Sequence, residues 1–200
     1  ASHVLESLRE PCETGQVYIS RAAYRVMYPA QFQLIAAMNP CPCGYFLDPQ
    51  RSCNCNTQRI ERYRSKLSGP LLDRLDMRVV VNPTSHLDLL DPQHKPQNMS
   101  LQWRELVGAV RCLQYKRQGC INASIAAANL LDQLDLDSKA MRFLRQVSSK
   151  LSLSARGCHR MLRVARTVAD LSDSASVKVQ HLEETYQFIK PCQELQFAGE

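Results

Sequence analysis

The 200 residues carry 25 Lys and Arg against 19 Asp and Glu, a formal charge of +6, and their 44% hydrophobic content predicts a globular chain with a real core rather than a disordered one. No apolar run approaches the roughly twenty residues of a membrane span, and residue 1 onward lacks the basic-then-apolar order of a signal peptide, so these residues contain no spanning helix and a cytoplasmic location is expected. Nine cysteines, an odd number with four tightly clustered, exclude a secreted disulfide scaffold, and the basic excess admits a nucleic-acid partner without requiring one.

The chain opens in an apolar-periodic segment, Val4, Leu5 and Leu8, which reads as a helix entered partway and stopped by Pro11. Residues 17–21 and 24–28 are two β-rich runs separated by Ala22 and Ala23, the pattern of a hairpin. Residues 32–38 are almost continuously apolar up to Asn39 and Pro40, as in a parallel strand buried on both faces. Residues 41–56 are loop-like. Thr57 is positioned to cap a helix carrying Ile60, Tyr63 and Leu67, Gly69 and Pro70 break it, and a short helix over 70–74 leads into a second buried strand over 77–81.

From residue 82 the sequence turns rich in Pro, Asp, His and Asn, so the first domain is placed at residues 1–83 and a linker at 84–100. An all-α domain follows over 101–190, with helices ended by Gly119, running from 123 to 134, capped by Asp137 or Ser138, capped by Ser152 or Ser154, and running from 179 to 189. Residues 191–200 form a tail with no assigned role. The expected class is α/β followed by all-α.

Cys41, Cys43, Cys53 and Cys55 form two close pairs in one short loop, which can wrap four thiolates around one tetrahedral ion. With no open coordination position such an ion is structural, and zinc is expected, with an iron–sulfur cluster as the alternative. The remaining Cys12, Cys112, Cys120, Cys158 and Cys192 read as reduced thiols, most of them packed in helices.

Three polar residues could act on a nucleotide. Asn39 leaves the carboxyl end of a buried strand, where ligands bind in open α/β sheets, although Asn before Pro is also an ordinary turn starter. Arg74 ends a short helix and could stabilise phosphoryl-transfer charge across a subunit boundary, or simply pair with Asp73 or Asp76. Arg156 aligns with Arg160 and Arg163 on one helix face, which taken alone is a solvated positive face.

In combination these segments resemble the Mg-chelatase-like AAA+ ATPases, most closely the competence-protein (ComM, YifB) type. The matching text includes residues 4–11, Ile19 to Arg21, Tyr28 to Leu34, Ala36 to Gly44, Ser68 to Asp76, Arg117 to Gly119 with Asn122, Leu153 to Arg160 and Ala165 to Asp170, nearly the whole chain. The resemblance implies the rear half of a P-loop NTPase core followed by a helical lid. It implies sensor-1 for Asn39, an arginine finger acting in trans for Arg74 and sensor-2 for Arg156, with ATP and Mg²⁺ as cofactors of the whole protein. It further implies a hexameric ring that moves along single-stranded or branched DNA in recombination and natural transformation. The hairpin corresponds to one that points into the pore of related ring helicases, where Arg21, Tyr24 and Arg25 would grip phosphates and stack bases.

No G-x-x-x-x-G-K-[ST] loop and no acidic pair ending a buried strand occurs in these 200 residues, so the chain is expected to be a fragment, inactive toward ATP by itself. Two other readings fit the same residues: a non-catalytic, zinc-stabilised nucleic-acid-binding module, and a metal-chelatase motor subunit.

Overall fold

A computed structural model describes residues 2–22, 24–46, 48–81 and 99–189. Residues 84–98 of the expected linker and the whole expected tail lie outside the described residues. The chain divides into two compact units, residues 1–75 and 76–200.

In the first unit the opening helix is two short ones, α1 (Ser2–Glu6) and α2 (Arg9–Thr14). Pro11 does not stop a helix but sits in the first turn of α2, where its missing N–H has no intrahelical partner to lose. The expected hairpin is present: β1 (Gln16–Arg21) and β2 (Tyr24–Pro29) pair antiparallel with Arg21 opposite Tyr24. Because side chains alternate, Val17, Ile19 and Arg21 share one face with Tyr28, Val26 and Tyr24, while Tyr18 and Ser20 share the other with Met27 and Arg25.

The two expected buried parallel strands are not formed. Residues 32–38 and 77–81 are irregular, with Ile35 84% and Val81 86% exposed. An apolar run becomes a strand only when a neighbour satisfies its backbone N–H and C=O groups, and among the described residues β1 and β2 are the only paired strands. α3 (Thr57–Arg64) is capped by Asn56, not Thr57, with Asn56 Oδ1 accepting the Arg59 N–H at 2.8 Å. α4 (Gly69–Leu72) is capped by Ser68, which accepts the Leu71 N–H at 3.2 Å.

The second unit is helical: α5 (Ser100–Gln118), α6 (Leu130–Leu134), α7 (Ser138–Lys150), α8 (Ala155–Leu171) and α9 (Val179–Ile189). Gly119 ends α5 at φ 74°, a left-handed conformation that other residues adopt only with strain. Asp137 and Ser154 are the caps of α7 and α8. The core gathers Leu130 and Leu134 of α6, Leu144 and Val147 of α7, Met161 and Leu162 of α8, and Leu182 and Ile189 of α9.

The helix expected over 123–134 is interrupted. Two 3₁₀ turns, Asn122–Ser124 and Ala127–Asn129, flank an extended Ile125, whose side chain enters the core and whose carbonyl accepts Arg163 Nη2 at 2.7 Å and Nε at 3.2 Å. That bond takes the acceptor a continuing helix would need, and burial of Ile125 outweighs alanine propensity. It also corrects the reading of α8: Arg163 is spent on Ile125 and Arg160 is buried, so they are not members of a solvated row with Arg156.

One carboxylate organises this unit. Asp170, with its side chain fully buried, accepts Arg117 Nη1 at 2.5 Å and Nη2 at 3.0 Å, Arg166 Nη2 at 2.8 Å and Nε at 3.0 Å, and Asn122 Nδ2 at 2.8 Å. Asn122 closes the network by accepting Arg117 Nη2 at 2.9 Å, while Gln114 Oε1 accepts its backbone N–H at 3.0 Å. Burial pushes the Asp170 carboxyl up, but the Arg117 and Asn122 hydrogen bonds and the Arg166 charge outweigh it and hold the pKa below the ordinary 3.8.

His181, buried in the first turn of α9, accepts the Lys178 N–H at Nδ1, 3.1 Å away, the reach-back of an N3 residue to the cap. Burial, then the Arg166 and Lys178 charges, depress its pKa below 6.5.

Two measurements follow from these groups. Asp170→Ala leaves two arginines facing each other and is expected to destabilise the helical unit by about 3–5 kcal/mol in urea unfolding; a loss under about 1 kcal/mol would refute the organising role. For pH, the unfolded chain binds protons more readily than the folded one at both groups, so stability falls with acidification. It drops first below 6.5 as unfolded His181 protonates, and again below 3.8 through the folded pKa of Asp170. His181→Gln should flatten the first step in a series of thermal melts across pH.

Candidate metal centre

The four clustered cysteines converge as their spacing predicts. Cys41 Sγ lies 3.3 Å from Cys43 Sγ and 3.6 Å from Cys53 Sγ, Cys43 and Cys53 are 3.5 Å apart, and all four sulfurs lie within 4.8 Å of one another. Sulfurs bound at about 2.3 Å to one tetrahedral zinc stand roughly 3.8 Å apart, so the separations match a single ion. They are too long for disulfides, whose S–S bond is about 2.05 Å, and a multi-iron cluster, which spreads its four thiolates over two or four irons, needs a wider cage.

The loop is built to hold this arrangement. Gly44 turns the chain at φ 89° directly after Cys43 and donates its N–H to the Cys41 carbonyl at 3.1 Å. Asp48 Oδ1 accepts the N–H groups of Gln50 and Arg51 at 2.8 and 3.0 Å, folding the far end back. Arg64 of α3 ties the loop down, its Nε donating to the Pro40 carbonyl at 3.2 Å and its guanidinium lying 5.0 Å from the Phe46 ring centre.

Charge within the cluster calls for a cation. The backbone N–H of Tyr45 and the hydrogen bond from Cys41 lower the Cys43 thiol to about 6. The Cys55 N–H favours ionisation of Cys53, but burial and hydrogen bonds with Cys43 and Cys41 push its pKa up to about 12. Burial pushes the Cys55 thiol up as well, with the charge of Cys43 adding to it. Four thiolates this close cannot coexist without a positive ion, and a structural zinc would supply that charge.

The clasp lies directly after Asn39. A Cβ on Gly44 would sit 3.8 Å from Asn39 Nδ2, so the amide rests against the clasp's turn while remaining exposed. Arg74 follows α4 and is not free: it pairs with Glu13 of α2, donates Nη1 to the Pro70 carbonyl at 2.6 Å, and its side chain is 14% exposed. Its partner is therefore Glu13 rather than Asp73 or Asp76. Arg156 occupies the first turn of α8 in the second unit, half-buried. Among the described residues no hydrogen bond or ion pair joins Asn39 to Arg74.

The structure separates the three hairpin residues. Arg21 and Tyr24 face each other as the closing cross-strand pair, whereas Arg25 lies on the other face, 5.1 Å from the Tyr18 ring centre. Tyr18 is the residue that sequence reasoning missed here; its diagonal position to Arg25 follows from the register, which a two-residue turn sets. Arg117, Asn122 and Asp170 belong to the stretches matched in sequence, where they received no role, and the structure joins them in one network.

Two family models match the chain: magnesium chelatase, subunit ChlI, over residues 1–89, and magnesium chelatase, subunit ChlI C-terminal, over residues 97–188. The chain is 40% identical over 187 residues to the competence protein ComM of Haemophilus influenzae, covering 90% of this chain and 35% of that protein. It is 36% identical over 184 residues to the protein YifB of Escherichia coli, covering 92% and 36%. Against a Mycobacterium bovis protein it is 36% identical over 173 residues, covering 86% and 34%. The chain thus spans about a third of the length of these relatives.

Metal analysis of the purified chain should return about one zinc per chain, and Cys43→Ser or Cys53→Ser should lower it at least about tenfold. Stoichiometric iron with a visible absorption band, or a metal-free chain whose loop resists proteolysis equally with and without a chelator, would defeat the single-zinc assignment.

Proposed function

The chain belongs to the magnesium-chelatase family, and from that premise we propose that it is the rear part of an AAA+ ATPase core with its helical lid, working in a homo-oligomeric ring that moves along DNA. The observation that carries this reading is the clasp: four sulfurs, Gly44 and Arg64 fix the loop that begins at Asn39, which is what a water-orienting amide requires. A loop with so little apolar burial of its own would otherwise wander by more than such chemistry tolerates.

In this reading Asn39 orients the attacking water, Arg74 neutralises charge developing on the transferred phosphoryl group of the adjoining subunit, and Arg156 contacts nucleotide from the lid. The phosphate cradle and Mg²⁺ ligands are not among these 200 residues, so the chain contributes the sensing and charge-neutralising half of the site. Glu13 holds the Arg74 guanidinium until a phosphate competes for it, since the fork of an arginine can exchange one oxyanion for another. The name of the Haemophilus influenzae relative, a competence protein, supports DNA uptake and recombination as the setting.

A second reading rests on the hairpin, whose exposed Arg21, Tyr24 and Arg25 offer charge and a stacking ring without any nucleotide. It makes the chain a zinc-stabilised module that binds DNA independently of ATP.

The test uses the protein together with whatever precedes residue 1 in its gene. Arg74→Ala should lower ATP turnover about 10³-fold or more while leaving nucleotide affinity within about twofold. Turnover unchanged by Arg74→Ala removes the finger assignment, and a preceding sequence without a phosphate-binding loop removes the motor in favour of the DNA-binding module.

A further inference from the structure

Helix α7 carries Lys139, Arg142, Arg145 and Lys150 and no acidic residue. All four are exposed, and none of their side chains makes a hydrogen bond or ion pair with the described residues. At 100° per residue, Arg142 and Arg145 point away from the buried Ala140, Leu144 and Val147, Lys139 and Lys150 both lie on the side away from Met141, and the four span about 16 Å along the axis. Asp137, the nearest carboxylate in sequence, is occupied as the helix cap, its Oδ1 accepting the Ala140 N–H at 2.5 Å. Beside the two arginines opens a groove of about 410 Å³, lined by Leu136, Ser138, Met141, Arg142 and Arg145.

We propose that this face of α7 is a second nucleic-acid-binding surface, in which phosphates lie against Arg142 and Arg145, Lys139 and Lys150 extend the positive charge away from the groove, and one base enters the groove against Leu136 and Met141. The pattern decides among polyanions. An apolar floor beside paired guanidiniums fits a unit that alternates a flat apolar ring with a negative link, which is a nucleotide. A membrane surface would need large apolar side chains on the same exposed face, where α7 instead presents Gln146 and Ser149. An acidic peptide offers charge but no flat group for the floor. The inference rests on the reading of DNA as partner, and it places a contact in the helical unit, apart from the hairpin.

The experiment measures binding of fluorescein-labelled oligothymidine to the 200-residue chain by anisotropy across a salt series. Replacing Arg142→Gln and Arg145→Gln together should weaken affinity by about tenfold or more near 0.1 M salt and reduce the log–log salt slope by about 1.4, two single-strand contacts at about 0.7 each. Both positions are exposed, so the thermal midpoint should not move, and Met141→Ala should weaken binding without changing the slope. If the arginine pair leaves affinity and slope intact while Arg21→Gln with Arg25→Gln lowers both, the α7 surface is refuted and DNA remains the partner. If the unsubstituted chain ignores oligothymidine but binds polyglutamate, both the surface and the DNA reading fall.

Discussion

The helical unit depends on one buried charge. Asp170 has no water to solvate it, so its ionised form survives only because Arg117, Arg166 and Asn122 surround it together. These partners come from α5, from the turn after it and from α8 itself, and Arg166 also binds the carbonyls of Ala175 and Ser174 beyond the end of α8. A single carboxylate thereby fixes where three segments end. Its importance is greatest for α5, whose apolar stripe reaches the core mainly through Val110, while Trp103, Leu106 and Val107 further up the same stripe stay exposed. Hydrophobic burial alone would hold that long helix weakly.

The first unit answers the same need by other means. Among its described residues only Cys41, Ile60 and Leu71 are buried apolar side chains, too few to order seventy-odd residues by hydrophobic burial alone. Polar links take over: Ser68 hydrogen-bonds Glu6 and pulls its carboxyl below the ordinary range, Arg9 pairs with Glu6 at 3.0 Å, and Arg74 with Glu13. The Arg9–Glu6 pair is largely exposed and contributes little by itself. A metal ion binding four thiolates would contribute far more, which gives a physical reason for a four-cysteine clasp in this unit.

The two arginine groups show how tertiary context reassigns charge. Arg156, Arg160 and Arg163 are equivalent by helical spacing, yet one is buried and one is committed to the Ile125 carbonyl. Arg142 and Arg145, similarly spaced but given no role in the sequence reading, remain exposed beside a groove. Burial, not periodicity, separates a cation that supports the fold from one available to a ligand.

Local chemistry was legible in the sequence: the hairpin from its β-rich runs and two-residue gap, the ends of α5 and α8 from Gly119 and Ser154, and the metal cage from four cysteines in fifteen residues. Each of these is decided within a few residues, by turn geometry, capping or the short reach of a loop. What only the tertiary structure decided were features set by distant partners. The apolar runs 32–38 and 77–81 carry strand-like composition but find no strand partner among the described residues, the alanine-rich stretch after Asn122 gives up its helix to bury Ile125, and Arg74 turns to Glu13, sixty-one residues away. The reason is common to all three. A strand, a buried side chain and an ion pair each need a group that sequence spacing does not specify, and only the folded chain supplies or withholds it.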